Sequence, residues 1–348
     1  MKVTLSMPIY NVEKYVEHAL LSALNQTFES IEYLIVDDKG TDNSMDVVRK
    51  LIANHPRGKD VRIIDHGVNQ GLATTRNSAI REAKGEYLYF MDSDDEITKD
   101  CIEILYNKMQ ENPVDFVAAS YTRKKTQGKT IEEFQYENYV LKDTGKSVAH
   151  IHYIDKRSIY IHIWNKLYDV KFLRNNEIYC FPKHFNEDNL FTFQVIVKAK
   201  LCILMSNITY LHYTIPGSLM DYYNNKRIKE RDEFLVLQNI EIINFMKNYI
   251  ETYKHSILYV YILIDVMKQA YSYAYFTINT FIENKQIYIN QLVKYPYSFR
   301  EITSLSHKRL IRCLFYSVSQ FPYWLQCVLI RIIFKIVFLK NKIKILMR

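Results

Sequence analysis

An acidic cluster directly follows an apolar segment of the chain. Phe90 and Met91 lead into Asp92, Ser93, Asp94 and Asp95. Hard divalent cations prefer oxygen ligands, and two carboxylates one residue apart converge on a cation where a strand gives way to a turn. Such a cation neutralises a diphosphate leaving group. The alternative is that these residues only form a turn and cap the next helix.

Two further apolar segments end in groups that could hold a nucleotide. The first ends in Tyr10 and Asn11, and the second ends in Asp37 and Asp38. A tyrosine ring can stack on a base, and a carboxylate can accept the imide N–H of uracil. Taken singly, Tyr10 would be interpreted as a core or rim aromatic and Asp38 as a helix cap. Three such segment ends together favour one ligand site at the carboxyl edge of a sheet.

Short apolar segments alternate with helical patterns over the first 119 residues. This alternation predicts an α/β fold with a mostly parallel sheet flanked by helices. The predicted strands are residues 3–7, 31–36, 61–64, 87–91 and 115–119. The predicted helices are residues 13–25 and 44–53, and Asn43 or Ser44 is expected to cap the second of them.

The rest of the chain predicts a different organisation. Residues 122–158 are polar, charged and aromatic, which predicts a hairpin or a mobile segment over the active face, where an acceptor could bind. Residues 226–289 have a helical, tyrosine-rich pattern. We therefore expect a catalytic α/β domain over residues 1–225, a helical extension over 226–300 and a basic tail over 301–348.

Five segments, in order, resemble the family 2 glycosyltransferases, an inverting group with a GT-A-type, Rossmann-like fold. They are MPIYNVEKYVEHALLSALNQTF, LIVDDKGTDNS, NQGLATTRNSAIREAKGEYLYFMDSDD, WNKLYDVKFL and FPKHFNEDNLF. The resemblance covers about residues 3–220 and implies a nucleotide-sugar donor and a divalent metal, Mg²⁺ or Mn²⁺.

The resemblance also implies roles for individual residues. Asp92 and Asp94 match the metal-binding D-x-D motif, with Asp94 as the direct ligand. Asp188 matches the catalytic base, with Glu187 beside it. A base must lie within hydrogen-bond reach of the acceptor hydroxyl, which a carboxylate at this point could do. The alternative is that both acidic residues cap a helix that begins around residue 189. The expected nucleotide-binding residues are Pro8, Tyr10, Asn11, Glu13, Asp38, Arg76, Asp92 and Ser93.

Some positions depart from the family pattern or have two interpretations. Lys39-Gly40 stands where the family usually has Gly-Ser, and Gln70-Gly71-Leu72-Ala73 stands where it often has Gly-Gly-Leu-Ser. The segment from His212 to Ser218 resembles a family segment that closes on the diphosphate, although a structural role is the simpler account of His212. Trp164 fits an acceptor-side segment, where it would be a sugar platform if exposed and a core residue if buried.

The formal net charge of +8 is concentrated at one end of the chain. Nine Lys and Arg residues and no acidic residue follow Glu301, so the remainder of the chain is close to neutral and a nucleic-acid partner is not expected. Within the apolar segment 324–338, Arg331 and Lys335 share one helical stripe, which favours a helix lying in the membrane interface over a spanning one. The alternative is a terminal helix docked on the protein.

The spacing of the cysteines and the first residues of the chain indicate the cellular compartment in which we expect the protein. The five cysteines are widely spaced without a C-x-x-C pair, which predicts reduced thiols rather than disulfides or a zinc site. The first residues run directly into a predicted strand. We therefore expect a cytoplasmic protein on the inner face of the membrane.

Together these features predict an inverting, metal-dependent transfer of a sugar from a UDP-sugar. The expected acceptor is a saccharide or lipid-linked saccharide in capsule, exopolysaccharide or lipopolysaccharide assembly. The alternatives are a catalytically inactive nucleotide-binding or scaffolding subunit and a nucleotidyltransferase, although the phosphate-cradling Gly-rich loop that the latter would need is not visible in the sequence.

Overall fold

A computed structural model describes residues 1–125, 129–142, 145–182, 186–215, 229–250, 256–280, 282–304 and 307–346. Its residues divide into two compact units. Unit 1 comprises residues 1–152 and 158–223, and unit 2 comprises residues 153–157 and 224–348. The boundaries expected near residues 225 and 300 stay predictions, because the first falls outside the described residues and the second falls inside unit 2.

Unit 1 is built on a ten-stranded mixed sheet. Its strands are β1 (Val3–Ile9), β2 (Ile31–Asp37), β3 (Val61–Asp65), β4 (Tyr87–Phe90), β5 (Glu96–Ile97), β6 (Phe116–Lys125), β7 (Thr130–Phe134), β8 (Tyr139–Val140), β9 (Lys166–Asp169) and β10 (Cys202–Thr214). The spatial order is β3-β2-β1-β4-β9-β6-β10-β5, with β7 beside β6 and β8 beside β10. Its helices are α1 (Val16–Leu24), α2 (Ser44–Asn54), α3 (Leu72–Glu82), α4 (Cys101–Glu111), α5 (Val148–Tyr153), α6 (Val170–Asn175) and α7 (Glu187–Lys198).

The predicted α/β class is confirmed, and the central strands show its physical basis. All seven residues of β2 are buried, as expected of a parallel strand covered on both faces. β1 pairs in parallel with both β2 and β4, whereas β9 runs antiparallel to β4 and β6. Val16, Ala19, Leu20 and Ala23 of α1 recur at helical spacing and join the core.

Several local predictions were wrong. Helix α1 begins at Val16 rather than at residue 13. The side chains of Asn43 and Ser44 do not cap α2. Instead, the Asp42 carboxylate accepts the backbone N–H and the hydroxyl of Ser44, because an acidic oxygen is a stronger acceptor for the exposed N–H groups of a helix start. By contrast, the hairpin expected within residues 122–158 is present, because β6 and β7 pair in the antiparallel direction.

Unit 2 is helical over the residues that the structure describes. Its helices are α8 (Lys229–Ile250), α9 (Ile257–Ile278), α10 (Lys285–Val293), α11 (Phe299–Ser304), α12 (Arg309–Gln320) and α13 (Tyr323–Leu346). Buried apolar side chains from successive helices form its core, including Ile243, Met267, Leu292 and Phe315.

Candidate active site

Three parallel strands deliver polar groups to one edge of the sheet. Pro8 of β1 lies opposite Val36 of β2, and Ser6 of β1 lies opposite Phe90 of β4. Because the strands are parallel and in register, their carboxyl ends emerge side by side. The segments 10–13, 37–38 and 91–95 therefore begin at a common edge.

Three carboxylates of the segment after β4 converge. Oxygen atoms of Asp92, Asp94 and Asp95 all lie within 4.8 Å of one another. Burial, reinforced by the negative charges of Asp95 and Asp92, raises the pKa of Asp94 to about 8. A divalent cation would offset this repulsion, and all the available donor atoms are the oxygens that Mg²⁺ and Mn²⁺ prefer. The residues present therefore fit such an ion.

Asp95 is held by β10. Its carboxylate accepts hydrogen bonds from the Tyr210 hydroxyl at 2.8 Å and the Tyr213 backbone N–H at 2.7 Å, and it pairs with His212 Nδ1 at 3.1 Å. Since these contacts occupy much of its acceptor capacity, Asp92 and Asp94 are the better placed of the three for a cation. The role of Asp95 is not visible in the sequence, because its partners lie more than 100 residues away in the chain.

Arg76 of α3 joins the acidic cluster to the predicted base. Its Nη2 donates to Asp92 Oδ1 at 3.0 Å, while Nη1 donates to Glu187 Oε1 at 2.8 Å and to Asp188 Oδ1 at 2.5 Å. The Arg76 side chain is only 3% exposed. Burial alone would lower its pKa, but Asp188, Asp92 and Glu187 raise that pKa well above its ordinary value. The guanidinium is therefore a permanent cation surrounded by three carboxylates.

Glu187 and Asp188 lie in the first turn of α7, which begins at Glu187 and not around residue 189 as predicted. Burial, together with the charge of Asp188, raises the pKa of Glu187 to about 8. Burial also raises the pKa of Asp188, and Arg76 opposes this shift. The Asp188 carboxyl remains 29% exposed, so one of its sides is open to a substrate.

The segment that leads into α7 is tied to α3 by a second residue. The Asn77 side-chain amide donates to the Cys180 carbonyl at 2.7 Å and accepts the Cys180 N–H at 2.8 Å. Asn77 therefore holds the start of this segment at Cys180, and Arg76 holds its end at Glu187 and Asp188. The role of Asn77 is not visible in the sequence. The matching motif contained it, but its partner is 103 residues distant.

The expected nucleotide-binding groups fall into an exposed part and a buried part. Tyr10 is 47% exposed, so its ring face is accessible for stacking. Asp38 is buried, and its carboxylate accepts the backbone N–H groups of Gln70 and Gly71 at 2.8 and 2.9 Å. It also pairs with His66 Nδ1 at 2.8 Å. Asp38 therefore fixes the loop before α3 as well as lying at the sheet edge.

Asn11 and Glu13 both hold the loop after β2. Asn11 has a positive φ of 52°, and its side-chain oxygen accepts the Thr41 N–H at 2.7 Å. A Cβ on Gly40 would come within 2.7 Å of that oxygen, which explains a glycine there. Glu13 accepts the Asn43 backbone N–H at 3.2 Å. Both side chains therefore have structural contacts at the expected nucleotide positions.

Pro8 and Ser93 occupy less exposed places at the edge. Pro8 is half-buried within β1, and Ser93, which lies between Asp92 and Asp94 in the sequence, is buried.

Trp164 is a core residue rather than an exposed platform. It is 6% exposed and stacks between His162 and Tyr210, with ring centroids 3.6 and 4.3 Å away. Two residues further on, the buried Lys166 ammonium donates to the carbonyls of Tyr160 and His162, and burial lowers its pKa to about 7. Of the segment predicted to close on the diphosphate, His212 and Tyr213 lie on β10, and Ser218 lies outside the described residues.

The fold and this edge define a GT-A-type α/β protein with a carboxylate-rich site. The family model described as glycosyl transferase family 2 matches residues 4–175, and this part of the chain belongs to that family. The resemblance inferred from the sequence is thereby confirmed.

Known relatives extend this likeness. A poly(ribitol-phosphate) beta-glucosyltransferase of Bacillus spizizenii is 31% identical over 61% of this chain and 32% of its own length. A hyaluronan synthase of Pasteurella multocida is 28% identical over 90% of this chain and 34% of its own length. The chain thus spans about a third of the length of these two relatives.

A solved structure shares the fold. S. aureus TarS 1–349 in complex with UDP-GlcNAc superposes with a TM-score of 0.67 and 20% identity, over 92% of this chain and 90% of the other. At this identity the likeness concerns the fold alone.

Proposed function

We propose that this protein is an inverting glycosyltransferase that moves a sugar from a UDP-sugar to a hydroxyl of a saccharide or lipid-linked saccharide acceptor. One observation carries the proposal. A single buried guanidinium, Arg76, contacts both the acidic cluster after β4 and the carboxyl pair at the start of α7. The groups suited to a diphosphate and the group suited to an acceptor hydroxyl therefore lie within one side chain's reach.

Asp94, with Asp92, would hold Mg²⁺ or Mn²⁺ at this site. When bound, the ion supplies positive charge to the diphosphate. Tyr10 would stack on the uracil, and Asp38 would lie at the imide edge, since one of its oxygens accepts a single hydrogen bond and retains acceptor capacity.

Asp188 would act as the base. As the acceptor oxygen bonds to the anomeric carbon, the bond from that carbon to the phosphate oxygen breaks, and the hydroxyl proton passes to the Asp188 carboxylate. Burial raises the pKa of Asp188, which makes the ionised carboxylate a stronger base than an exposed aspartate. Arg76 holds its other side and fixes its orientation. An α-linked UDP-hexose would give a β-linked product.

The substrate classes are proposed from the relatives. The two curated relatives act in poly(ribitol-phosphate) glucosylation and in hyaluronan synthesis, and the TarS structure contains UDP-GlcNAc. We therefore propose a role in cell-surface polysaccharide synthesis.

Attachment to the inner membrane face is a further part of the proposal. Among the described residues, no helix combines the length and apolarity needed to cross a bilayer. Helix α13 nevertheless exposes an apolar stripe at a spacing of four, formed by Trp324, Val328, Ile332 and Ile336. The exposed Arg331 and Lys335 flank this stripe. A helix of this kind suits the interface of an anionic cytoplasmic leaflet.

The test of the transfer activity is UDP release from a panel of UDP-sugars, with and without Mn²⁺. We expect turnover of one donor that EDTA abolishes and that falls by at least about 100-fold in Asp94→Ala and in Asp188→Asn. Asp188→Asn should still bind UDP, because Asp188 lies on the acceptor side.

Asp46→Asn is the matched control, since Asp46 is an exposed aspartate of α2. It should retain the activity of the unmodified chain. Failure to bind UDP with Mn²⁺ under any condition would contradict the proposed function.

A further inference from the structure

A buried histidine holds one side of the Asp38 carboxylate. His66 follows β3, and its Nδ1 lies 2.8 Å from Asp38 Oδ1. The side chains of His66 and Asp38 are only 6% and 3% exposed. Oδ1 also accepts the Gln70 N–H at 2.8 Å, whereas Oδ2 accepts one hydrogen bond within the described part of the chain, from the Gly71 N–H. Oδ2 is therefore the oxygen that keeps acceptor capacity for a ligand.

The neighbours of the His66 ring define where its proton lies. A carboxylate only accepts, so Nδ1 must carry a hydrogen to bond Asp38. The other ring nitrogen, Nε2, lies 2.9 Å from the hydroxyl of Ser78 on α3, and Arg81 Nη2 donates to that hydroxyl oxygen at 3.0 Å. Because a guanidinium only donates, His66 Nε2 is the acceptor for the Ser78 hydrogen among the described contacts. A proton on Nε2 would leave this buried hydroxyl hydrogen without an acceptor.

These contacts form a chain of hydrogen bonds with a single direction. Ser78 donates to His66, and His66 donates to Asp38. If the ring carried its proton on Nε2 alone, the lone pair of Nδ1 would face the carboxylate and repel it. The carboxyl would then rotate away from His66, and the rotation would also move Oδ2. Since so little of the Asp38 side chain is exposed, its orientation decides whether a ligand can reach that oxygen.

We propose that His66 is a positioning residue for recognition of the nucleotide base, and that Ser78 fixes the tautomer of its ring. The inference rests on the proposed function, in which Asp38 lies at the imide edge of uracil. The N3–H of uracil can donate to Oδ2, whereas N3 of cytosine is itself an acceptor and would be repelled. A site built to accept an N–H discriminates against a ligand that lacks it. His66 would therefore set the preference for UDP over CDP without touching the nucleotide.

The test is calorimetry of the full chain with UDP and with CDP, each in the presence of Mn²⁺. His66→Leu should weaken UDP binding by about tenfold, the equivalent of one hydrogen bond to a charged group. CDP binding should change much less, so the ratio of the two affinities should fall. Because CDP has the same ribose and diphosphate, damage to the fold would weaken both nucleotides to the same degree and leave the ratio unchanged.

Three further variants separate positioning from a merely structural role. Ser78→Ala removes the donor to Nε2 and should also lower the UDP-to-CDP affinity ratio. His66→Asn places an amide N–H close to the position of Nδ1 and should recover most of the ratio. His18→Leu makes the same change as His66→Leu at an exposed position of α1 and should leave both affinities unchanged.

The tautomer gives a second readout that needs no ligand. In ¹⁵N NMR of the unmodified chain, the His66 ring should carry its proton on Nδ1 and none on Nε2. A ring protonated on Nε2, or equal UDP-to-CDP ratios in His66→Leu and His18→Leu, would overturn this inference and leave the proposed function in place. Failure of the unmodified chain to bind UDP with Mn²⁺ would instead contradict the proposed function and, with it, this inference.

Discussion

The buried Arg76 side chain balances the negative charge of three carboxyl groups in the candidate site. Its guanidinium contacts Asp92, Glu187 and Asp188, and those three carboxyls would repel one another without it. The planar fork of arginine suits several carboxylates at once, whereas the ammonium of lysine is a compact point charge. Arg76 is therefore a positioning residue for both the proposed metal ligand and the proposed base.

Replacing Arg76 by methionine should strongly reduce both the stability and the activity of the protein. Removing one partner of a buried charge network leaves the other charges uncompensated, and the free energy of unfolding should fall by about 3–5 kcal/mol. UDP release should be lost, and Arg76→Lys should recover part of the stability but little of the activity. Urea unfolding and UDP release measure the two effects.

Arg81→Met is the control on the same helix, because Arg81 is exposed and donates only to the Ser78 hydroxyl within the described contacts. It should change the free energy of unfolding by no more than about 0.5 kcal/mol. Equal losses in Arg76→Met and Arg81→Met would argue against a special role for Arg76.

Among the helices, a buried lysine of α8 hydrogen-bonds the C-terminal end of α10. The Lys247 ammonium, on α8, donates to the carbonyls of Leu292 and Lys294 at 2.9 and 2.8 Å. These carbonyls belong to the end of α10, where helix C=O groups have no intrahelical partner. Burial, aided by the charge of Lys294, lowers the pKa of Lys247 to about 7.

This shift predicts a specific dependence of stability on pH. Below about pH 7, Lys247 is protonated in the folded and unfolded chains, so it adds no slope. Between pH 7 and the ordinary lysine pKa, only the unfolded chain keeps the proton, and the free energy of unfolding should rise by up to about 1.4 kcal/mol per pH unit. Lys247→Met should remove the contribution of Lys247 and leave that of Lys166, whose pKa burial also lowers to about 7. The slope of the free energy of unfolding should therefore fall by up to about 1.4 kcal/mol per pH unit, as urea unfolding between pH 6 and 9.5 can measure.

Lys268→Met supplies the comparison, because Lys268 is a half-buried lysine of the neighbouring helix α9. It should keep the slope of the unmodified chain. The prediction fails if Lys247→Met retains the same rise in stability between pH 7 and 9.5.

The elements also show what could be predicted from the sequence and what could not. β2 has a continuous apolar stretch from Tyr33 to Val36 and is buried on both faces, so its pattern alone identified it. β9 has only four residues and contains a lysine and an aspartate, a composition without strand periodicity, and it was missed.

The candidate site could likewise be predicted only in part from local sequence patterns. Motif order indicated Asp92 and Asp188, but the Arg76 bridge spans 112 residues, and local spacing carries no information about such a contact.

At the scale of the whole molecule, charge and apolar exposure coincide in α13. The nine cations that follow Glu301 account for the basic character of the chain, and five of them lie on α13. Four of the exposed apolar residues lie on one stripe of the same helix. Gln326 and Ile330, by contrast, are buried on the inward side. This arrangement allows α13 to pack within unit 2 and still present an apolar face flanked by cations.

The exposed apolar stripe of α13 and its flanking cations predict binding to anionic lipid. Full-length protein should float with vesicles that contain phosphatidylglycerol, bind phosphatidylcholine vesicles much less, and lose binding as salt is raised. Replacing both Val328 and Ile332 by glutamate should weaken the vesicle partition coefficient by at least about tenfold, because two apolar contacts are lost and two repulsive charges are added. Ile287→Glu is the control, since Ile287 is an equally exposed isoleucine of α10 away from the stripe. If the double variant floats as well as this control, α13 is not the membrane contact, and the basic charge of the chain must serve another partner.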